Sequence, residues 1–509
     1  MEDAAAAPSR RRHLLDGGFA ILVLALAVLF GYLVFSPPEF RPAPAAAVTP
    51  PPASALAPVT SAAIEALQVP EATGVQTPGI EFPKWQAPKP PDTRPWPAPV
   101  RGRVFDERRE PLAGASVVAD GVEVRTGGDG AFTLDRVSPG TRLIIKMPGY
   151  AKAIVEPTTD PVEATLKPQA IKAVYLTYYG VSHRGIRGRV LDLIERTELN
   201  AVVIDVKGDR GWILYPTEIP LALSAGAQGP ATMRDFADLM ADLKARGVYT
   251  IARIVAFKDN ILAAHRPDLA IIDTRTGQPW MDNEKLAWVD PFREEVWAYN
   301  IAIAREAARR GFDEVQFDYM RFPTDGRLGS AGYSKANTRE TRLPTIAAFL
   351  ERARREIGPT GALLAVDLFG YTAFNPNDTD IGQRIEEVAP HVDYLCPMVY
   401  PSGYHLGIPG FRNPVAHPYE VVHESVRLIR KRAANSVVSV RPWLQDFRDY
   451  AFDHRFFGVS QVQAQVRAAA EAGGIGWMLW NPRNAYTAAA LGPKDASATT
   501  GEATRSVTD

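Results

Sequence analysis

The chain has one cysteine in 509 residues, Cys396, so an intramolecular disulfide is excluded, as is a zinc site built from clustered cysteines. It also lacks an excess of either charge. With 57 basic residues against 58 acidic ones, nothing general attracts it to DNA or anionic lipid, and nucleic acid is not an expected partner. No G-x-G-x-x-G follows a run that reads as a strand, which argues against a doubly wound dinucleotide fold. His183, His265, His405 and His417 show no metal-ligand spacing. Neither a metal nor an organic cofactor is therefore expected.

The N-terminal part carries a single long apolar run. Arg10, Arg11 and Arg12 precede residues 17–35, which are almost wholly apolar and nearly span a ~30 Å hydrocarbon core at about 1.5 Å per residue. This reads as an uncleaved transmembrane anchor, with a signal peptide as the alternative because the small residues at 42–47 would permit cleavage. The basic cluster should stay cytoplasmic, which places everything after Ser36 outside, in a periplasm or at the cell surface. Residues 1–36 are thus expected as cytoplasmic tail and membrane segment. Residues 37–97, dominated by proline and alanine, should form an extended linker.

Residues 98–168 change pattern to short alternating runs punctuated by glycine and proline turns, the signature of a small all-β sandwich. The stretches Gly102-Arg-Val-Phe-Asp106, Pro111-Leu-Ala-Gly-Ala115, Gly128-Asp-Gly-Ala-Phe132 and Pro148-Gly-Tyr150 resemble the carboxypeptidase regulatory-like domain. The resemblance implies an accessory or spacer module.

From residue 169 to 491 strand and helix patterns alternate. Apolar runs begin near Lys172, Ala201, Tyr249, Val315, Leu363, Tyr394, Val437 and Gly474. Helical spacing lies between them, as in Val190, Leu193, Ile194 and Thr197. Strands apolar throughout belong to a parallel sheet covered by helices, and eight such units close into a (β/α)8 TIM barrel. Residues 492–509 are expected as a disordered tail.

In a TIM barrel the chemistry sits at the C-terminal ends of the strands. Those ends offer the carboxylates Asp318, Asp367 and Asp205. They also offer Lys207, Arg253, Arg321, Tyr400, Arg441, Trp443, Gln445, Asp446, Trp480 and Asn481 as groups to bind substrate. Converging carboxylates match glycoside hydrolysis, which needs one carboxyl to protonate the leaving oxygen and one carboxylate to attack or to activate water. Tyr400, Trp443 and Trp480 could lie against the apolar faces of sugar rings. Asp367 has no cation near it in sequence, which suits the acid. Asp318 is the first choice as nucleophile or base, and Asp205 stands second for either role. Structural ion pairs between Asp318 and Arg321, and between Asp205 and Lys207, are the competing interpretation.

The stretches Asp205-Val-Lys207, Phe317-Asp-Tyr-Met-Arg-Phe-Pro323, Pro397-Met-Val-Tyr-Pro-Ser402, Arg441-Pro-Trp-Leu-Gln-Asp-Phe447 and Trp480-Asn-Pro482 resemble a bacterial and archaeal family of TIM-barrel proteins grouped with glycoside hydrolases. Where that family often carries a histidine, this chain has Gly403. Chitinases end the fourth strand in a pattern similar to Asp-Gly-x-Asp-x-Asp-x-Glu, which places Met320 at the proton-donating Glu, and methionine has no proton to give. In α-amylase-like enzymes the fourth-strand Asp is the nucleophile, a position that Asp318 could match. The expectation is an extracytoplasmic, membrane-anchored glycoside hydrolase acting on a polysaccharide. A non-catalytic carbohydrate-binding or envelope-scaffold protein is the main alternative, and a metal-dependent deacetylase is disfavoured for want of a His-His-Asp set.

Overall fold

Strand alternation sorts the barrel residues into two apolar layers. In the fourth barrel strand, Glu314–Asp318, Val315 and Phe317 join the large cluster shared with the helices. Glu314, Gln316 and Asp318 therefore point into the barrel. The inner cluster gathers Ala173, Val203, Ile251, Ala365, Cys396 and Met478 from other strands. The computed structural model that shows this describes residues 99–494.

Eight parallel strands close the barrel: Ile171–Leu176, Ala201–Lys207, Tyr249–Val255, Glu314–Asp318, Leu363–Phe369, Tyr394–Met398, a split seventh strand, and Gly476–Trp480. The eighth pairs with the first, and the fifth with the sixth, so the sheet has no free edge. The seventh strand is split into Ser439–Val440 and Trp443–Gln445 because Pro442 has no N–H to give to the ladder. Both halves still pair with the sixth strand.

The outer helices follow the sequence pattern in most units. Phe236–Ala245 buries Phe236, Leu239, Met240 and Leu243, and Gly247 just beyond it takes φ +66°, the left-handed turn that stops a helix. Glu294–Arg309, Pro418–Arg432 and Val459–Glu471 complete other units. Two units depart from expectation. Between the fifth and sixth strands the helix is only Ile385–Val388, and between the fourth and fifth a long helix that the sequence pattern hides, Arg339–Ile357, covers the sheet.

The residues before the barrel form two small sheets, one of three strands and one of four, around a shared core that includes Val104, Val117, Phe132 and Ile145. These sheets are fixed to the barrel rather than spaced from it. Lys146 Nζ donates to the carbonyls of Gly358 and Ala362 at 3.0 and 2.5 Å. The Gly149 amide donates to the Tyr394 hydroxyl at 2.7 Å, and Lys152 pairs with Asp313 at 3.1 Å. Ala362, Tyr394 and Asp313 all lie at the N-terminal ends of strands, so the sheets brace the end of the barrel opposite the site. The expected membrane segment and the whole of the linker fall outside the described residues. Within them, no helix is long and apolar enough to cross a membrane.

Candidate active site

The inward-facing residues at the C-terminal ends of the strands form one polar layer. Arg253, on the third strand, is its hub. Its Nη1 donates to Asp205 Oδ1 at 2.6 Å. Its Nε donates to Asp318 Oδ2 at 3.1 Å, and Nη2 reaches the same oxygen. Nε also lies 3.9 Å from Asp367 Oδ2. Burial opposes the guanidinium charge, but the carboxylates of Asp205 and Asp318 outweigh it and hold Arg253 firmly charged. The guanidinium rests 5.1 Å from the Trp480 ring, and Trp480 stacks on Tyr175 at 4.0 Å. Tyr175 in turn donates its hydroxyl to Asp205 Oδ2 at 2.5 Å.

The two leading carboxyls are treated differently by this layer. Asp318 accepts from Arg253 and, through Oδ1, from the Tyr319 amide at 2.6 Å, the acceptor-only role of a carboxylate. Asp367 is 1% exposed and accepts one hydrogen bond on Oδ1, from Trp443 Nε1 at 2.7 Å. Its Oδ2 has no hydrogen-bond partner among the described residues. Burial, followed by the charge of Asp318, raises the Asp367 carboxyl well above its ordinary range. Because Asp318 Oδ2 and Asp367 Oδ2 share the Arg253 Nε neighbour at 3.1 and 3.9 Å, those two oxygens are separated by at most about 7 Å. That reach covers the retaining spacing of about 5–5.5 Å and only the lower end of the inverting range, about 6.5–9.5 Å.

A cleft opens above this layer, lined by Arg253, Asp318, Arg321, Asp367, Tyr400, Trp443 and Trp480 among the expected residues. One wall is aromatic: Tyr400 meets Phe447 at 5.5 Å and Trp480 at 6.4 Å. The opposite wall is charged. Lys258 Nζ pairs there with Asp282 at 2.9 Å and Glu284 at 2.5 Å. Arg321 does not pair with Asp318. It lies over the rings of Tyr319 and Trp288 at 4.8 and 5.4 Å.

The backbone at Tyr319 decides which residues reach the cleft. Tyr319 takes φ +50°, a left-handed conformation that is strained for a bulky residue. The turn breaks strand alternation, so Tyr319 and Arg321 line the cleft while Met320 is fully buried in the outer apolar cluster.

Six expected residues do not line the cleft. Asp205 lies behind Arg253. Lys207 is fully buried and pairs with Asp259 at 2.7 Å, because the register shifts after Arg253 and Asp205, leaving Lys207 opposite Ile254. A bulge there turns the lysine toward the helices. The apolar run that begins near Val437 does not end before Arg441, because the seventh strand continues through Gln445. Arg441 therefore sits deeper in the barrel, fully buried and paired with Glu314. Gln445 donates to Ser402 Oγ at 2.7 Å and the Phe447 carbonyl at 3.2 Å. Asp446 accepts from Thr487 Oγ1 at 2.6 Å, and Asn481 donates to the Ala485 carbonyl at 2.6 Å. These last three shape loops rather than bind in the cleft.

The charged wall was not anticipated as a group. Asp282, Glu284 and Asp325 come from the excursions after the third and fourth strands, which meet through the pairing of Ile272–Asp273 with Ala331–Gly332. The signal available in sequence was length, since the excursion from Ala256 to Arg293 exceeds the ~12–15 residues beyond which structureless loops usually serve a function. Gly403, Ser402 and His405 also line the cleft. Burial lowers the His405 pKa, which favours its neutral form.

Residues 173–486 match the model of a family described as "Putative glycosyl hydrolase domain". The chain belongs to this family. The family match covers the whole closed barrel except its first two strand residues, and it begins after the two small sheets. No curated protein matches the chain. Among solved structures, a hypothetical protein from Ruminiclostridium thermocellum is 34% identical over 38% of this chain and 96% of its own, with a TM-score of 0.35. The glycoside hydrolase domain of PgaB (BpsB) from Bordetella bronchiseptica is 14% identical over 61% of this chain and 94% of its own, with a TM-score of 0.43. The α-galactosidase TtGalA from Thermus thermophilus, in complex with stachyose, is 16% identical over 75% of this chain and 73% of its own, with a TM-score of 0.39.

Proposed function

We propose that this member of the glycosyl hydrolase family cleaves a polysaccharide outside the cytoplasm by a two-carboxylate mechanism, with Asp367 as the acid and Asp318 as the nucleophile. The observation that carries this is the unequal treatment of the two carboxyls around Arg253. Asp318 accepts hydrogen bonds on both oxygens, whereas Asp367 is buried with one oxygen unpartnered among the described residues. A carboxyl whose surroundings hold its proton, beside one that only accepts hydrogen bonds, is how one site can hold both an acid and a nucleophile.

In the first step Asp367 gives its proton to the glycosidic oxygen as the C–O bond breaks, the bonding electrons leaving with that oxygen. The Asp318 carboxylate bonds to the anomeric carbon. In the second step water attacks that carbon, its proton passes to the Asp367 carboxylate, and Asp318 is released. The carboxyl separation, at most about 7 Å, accommodates this retaining course. Tyr400 and Trp480 supply apolar faces for sugar rings, and Arg253 aims Asp318 through its paired hydrogen bonds. The two small sheets act as an accessory module bound to the barrel, with the resemblance to carboxypeptidase regulatory-like domains giving their class. The N-terminal apolar run would anchor the whole at the membrane.

The test is to incubate the full chain with a panel of cell-wall and exopolysaccharides, following reducing ends and the anomeric configuration of the first product by NMR. Cleavage with retention, abolished in Asp318→Asn, is expected. Binding without cleavage, unaffected by Asp318→Asn, would turn the protein into a carbohydrate-binding scaffold instead.

A further inference from the structure

Trp443 is 1% exposed, and its ring is closed in by Tyr175 and Trp480, edge to face at 6.2 and 5.4 Å. Little of the indole is left to serve as a stacking platform for sugar. Its N–H, in contrast, has a definite target, Asp367 Oδ1 at 2.7 Å. An indole nitrogen can only donate, so Oδ1 must accept. A proton on this carboxyl therefore resides on Oδ2, the oxygen with no hydrogen-bond partner among the described residues.

We infer that Trp443 is a positioning residue which fixes the exchangeable proton of Asp367 on Oδ2, the oxygen from which it is given to the leaving group. The inference rests on the two-carboxylate mechanism above and assigns to the indole a role in proton delivery rather than in sugar stacking. Without the indole N–H, the carboxyl is free to rotate and its proton can settle on either oxygen, so only part of the population presents it to the leaving group. Pro442, just before Trp443, and the fifth-strand backbone around Asp367 hold both partners on rigid strands, where such an arrangement is kept to a fraction of an ångström.

The charged and titratable groups that face Asp367 are Asp318, whose charge raises it, and Arg253 and Arg441, which lower it. Cys396 and Tyr400, on and after the sixth strand, feel its charge in return. Trp443 lowers it as well, by donating to the charged form. Loss of that donor therefore moves the alkaline limb of the pH profile, where the acid is lost, to higher pH.

The experiment compares the full wild-type chain with Trp443→Phe on the glycan found to be cleaved and on an aryl glycoside of the same sugar with a good leaving group. The expected result is a fall in kcat of about 10²-fold on the glycan, a much smaller fall on the aryl glycoside, which needs little acid help, and an alkaline limb shifted upward. Equal losses on both substrates with an unmoved limb would assign Trp443 a merely structural role and overturn the inference. If Trp443→Phe fails to fold, the wild-type chain itself decides: one indole N–H resonance should titrate with the midpoint of the alkaline limb, and none doing so overturns the inference. If the wild-type chain cleaves no glycan at all, it is the hydrolase assignment that fails. In that case the titrating indole still reports whether Trp443 governs the Asp367 proton.

Discussion

Arg354, in the last turn of a barrel helix, and Glu123, on the edge strand of a small sheet, meet at 2.7 Å. The same guanidinium reaches Asp393 at 2.6 Å, and Asp393 is 1% exposed. One cation thus joins the two small sheets to the barrel while neutralising a buried carboxylate. Without it Asp393 keeps Arg125 at 3.6 Å and Glu123 keeps Lys146 at 3.4 Å, so the loss is that of hydrogen bonds to charged groups, about 1.5–3 kcal/mol. Arg354→Met should lower the unfolding free energy by that amount in a urea titration, with the small sheets and the barrel losing structure in one transition. A two-step melt with the barrel unaffected would contradict the bracing role.

Lys146 adds a pH signature to the same junction. Burial, partly offset by the charges of Glu123 and Asp393, pulls its pKa from 10.5 down to about 8. Between about 8 and 10.5 the unfolded chain binds a proton that the folded chain has released, so stability rises with pH across that window. Lys146→Met removes this rise. Thermal melts of both proteins at pH 8 and at pH 10 should show the wild type gaining on the variant as pH increases.

Asp367 has the opposite sign. Burial and the charge of Asp318 raise its pKa well above 3.8. Above that ordinary value the folded chain holds a proton which the unfolded chain has lost, and stability falls as pH rises. Asp367→Asn cancels the linkage. Its advantage in unfolding free energy over wild type should widen from about pH 4 to about pH 7, while glycan cleavage drops about 10²–10⁴-fold, the usual contribution of a general acid.

Lys207 tests placement. Its ammonium is fully buried against Asp259, with the Tyr299 ring 5.4 Å away. Lys207→Met should cost about 3–5 kcal/mol of stability and leave the KM of the protein that remains folded unchanged. A raised KM with normal stability would mean that the lysine reaches the cleft after all.

The barrel was legible because its strands are buried on both faces, which turns runs such as Ala201–Lys207 and Leu363–Phe369 into continuous apolar signals. The helix Arg339–Ile357 leaves no clear pattern in sequence because Pro344 and its many arginines obscure the face that Ile346, Phe349, Leu350, Ala353 and Ile357 bury. Within the site, Asp318, Asp367 and Arg253 could be located from strand ends alone. Arg441 could not, since the seventh strand runs on past Pro442, and neither could Lys207, which a bulge re-aims without any mark in composition. The charged wall of Lys258, Asp282 and Glu284 depends on loops folding back from different units, a relationship that no local pattern encodes.

The left-handed turn at Tyr319 carries a consequence for how this barrel could acquire a different chemistry. In a regular strand the side chain two residues beyond Asp318 would point back into the barrel mouth, and replacing Met320 with glutamate would install a second acid there. Here that side chain is inserted among the outer apolar residues, where a carboxyl would find neither water nor substrate. Conversion to a chitinase-like arrangement therefore has no single-substitution route. It would first require the backbone at residue 319 to be rebuilt, which would in turn displace the tyrosine and Arg321 from the cleft wall.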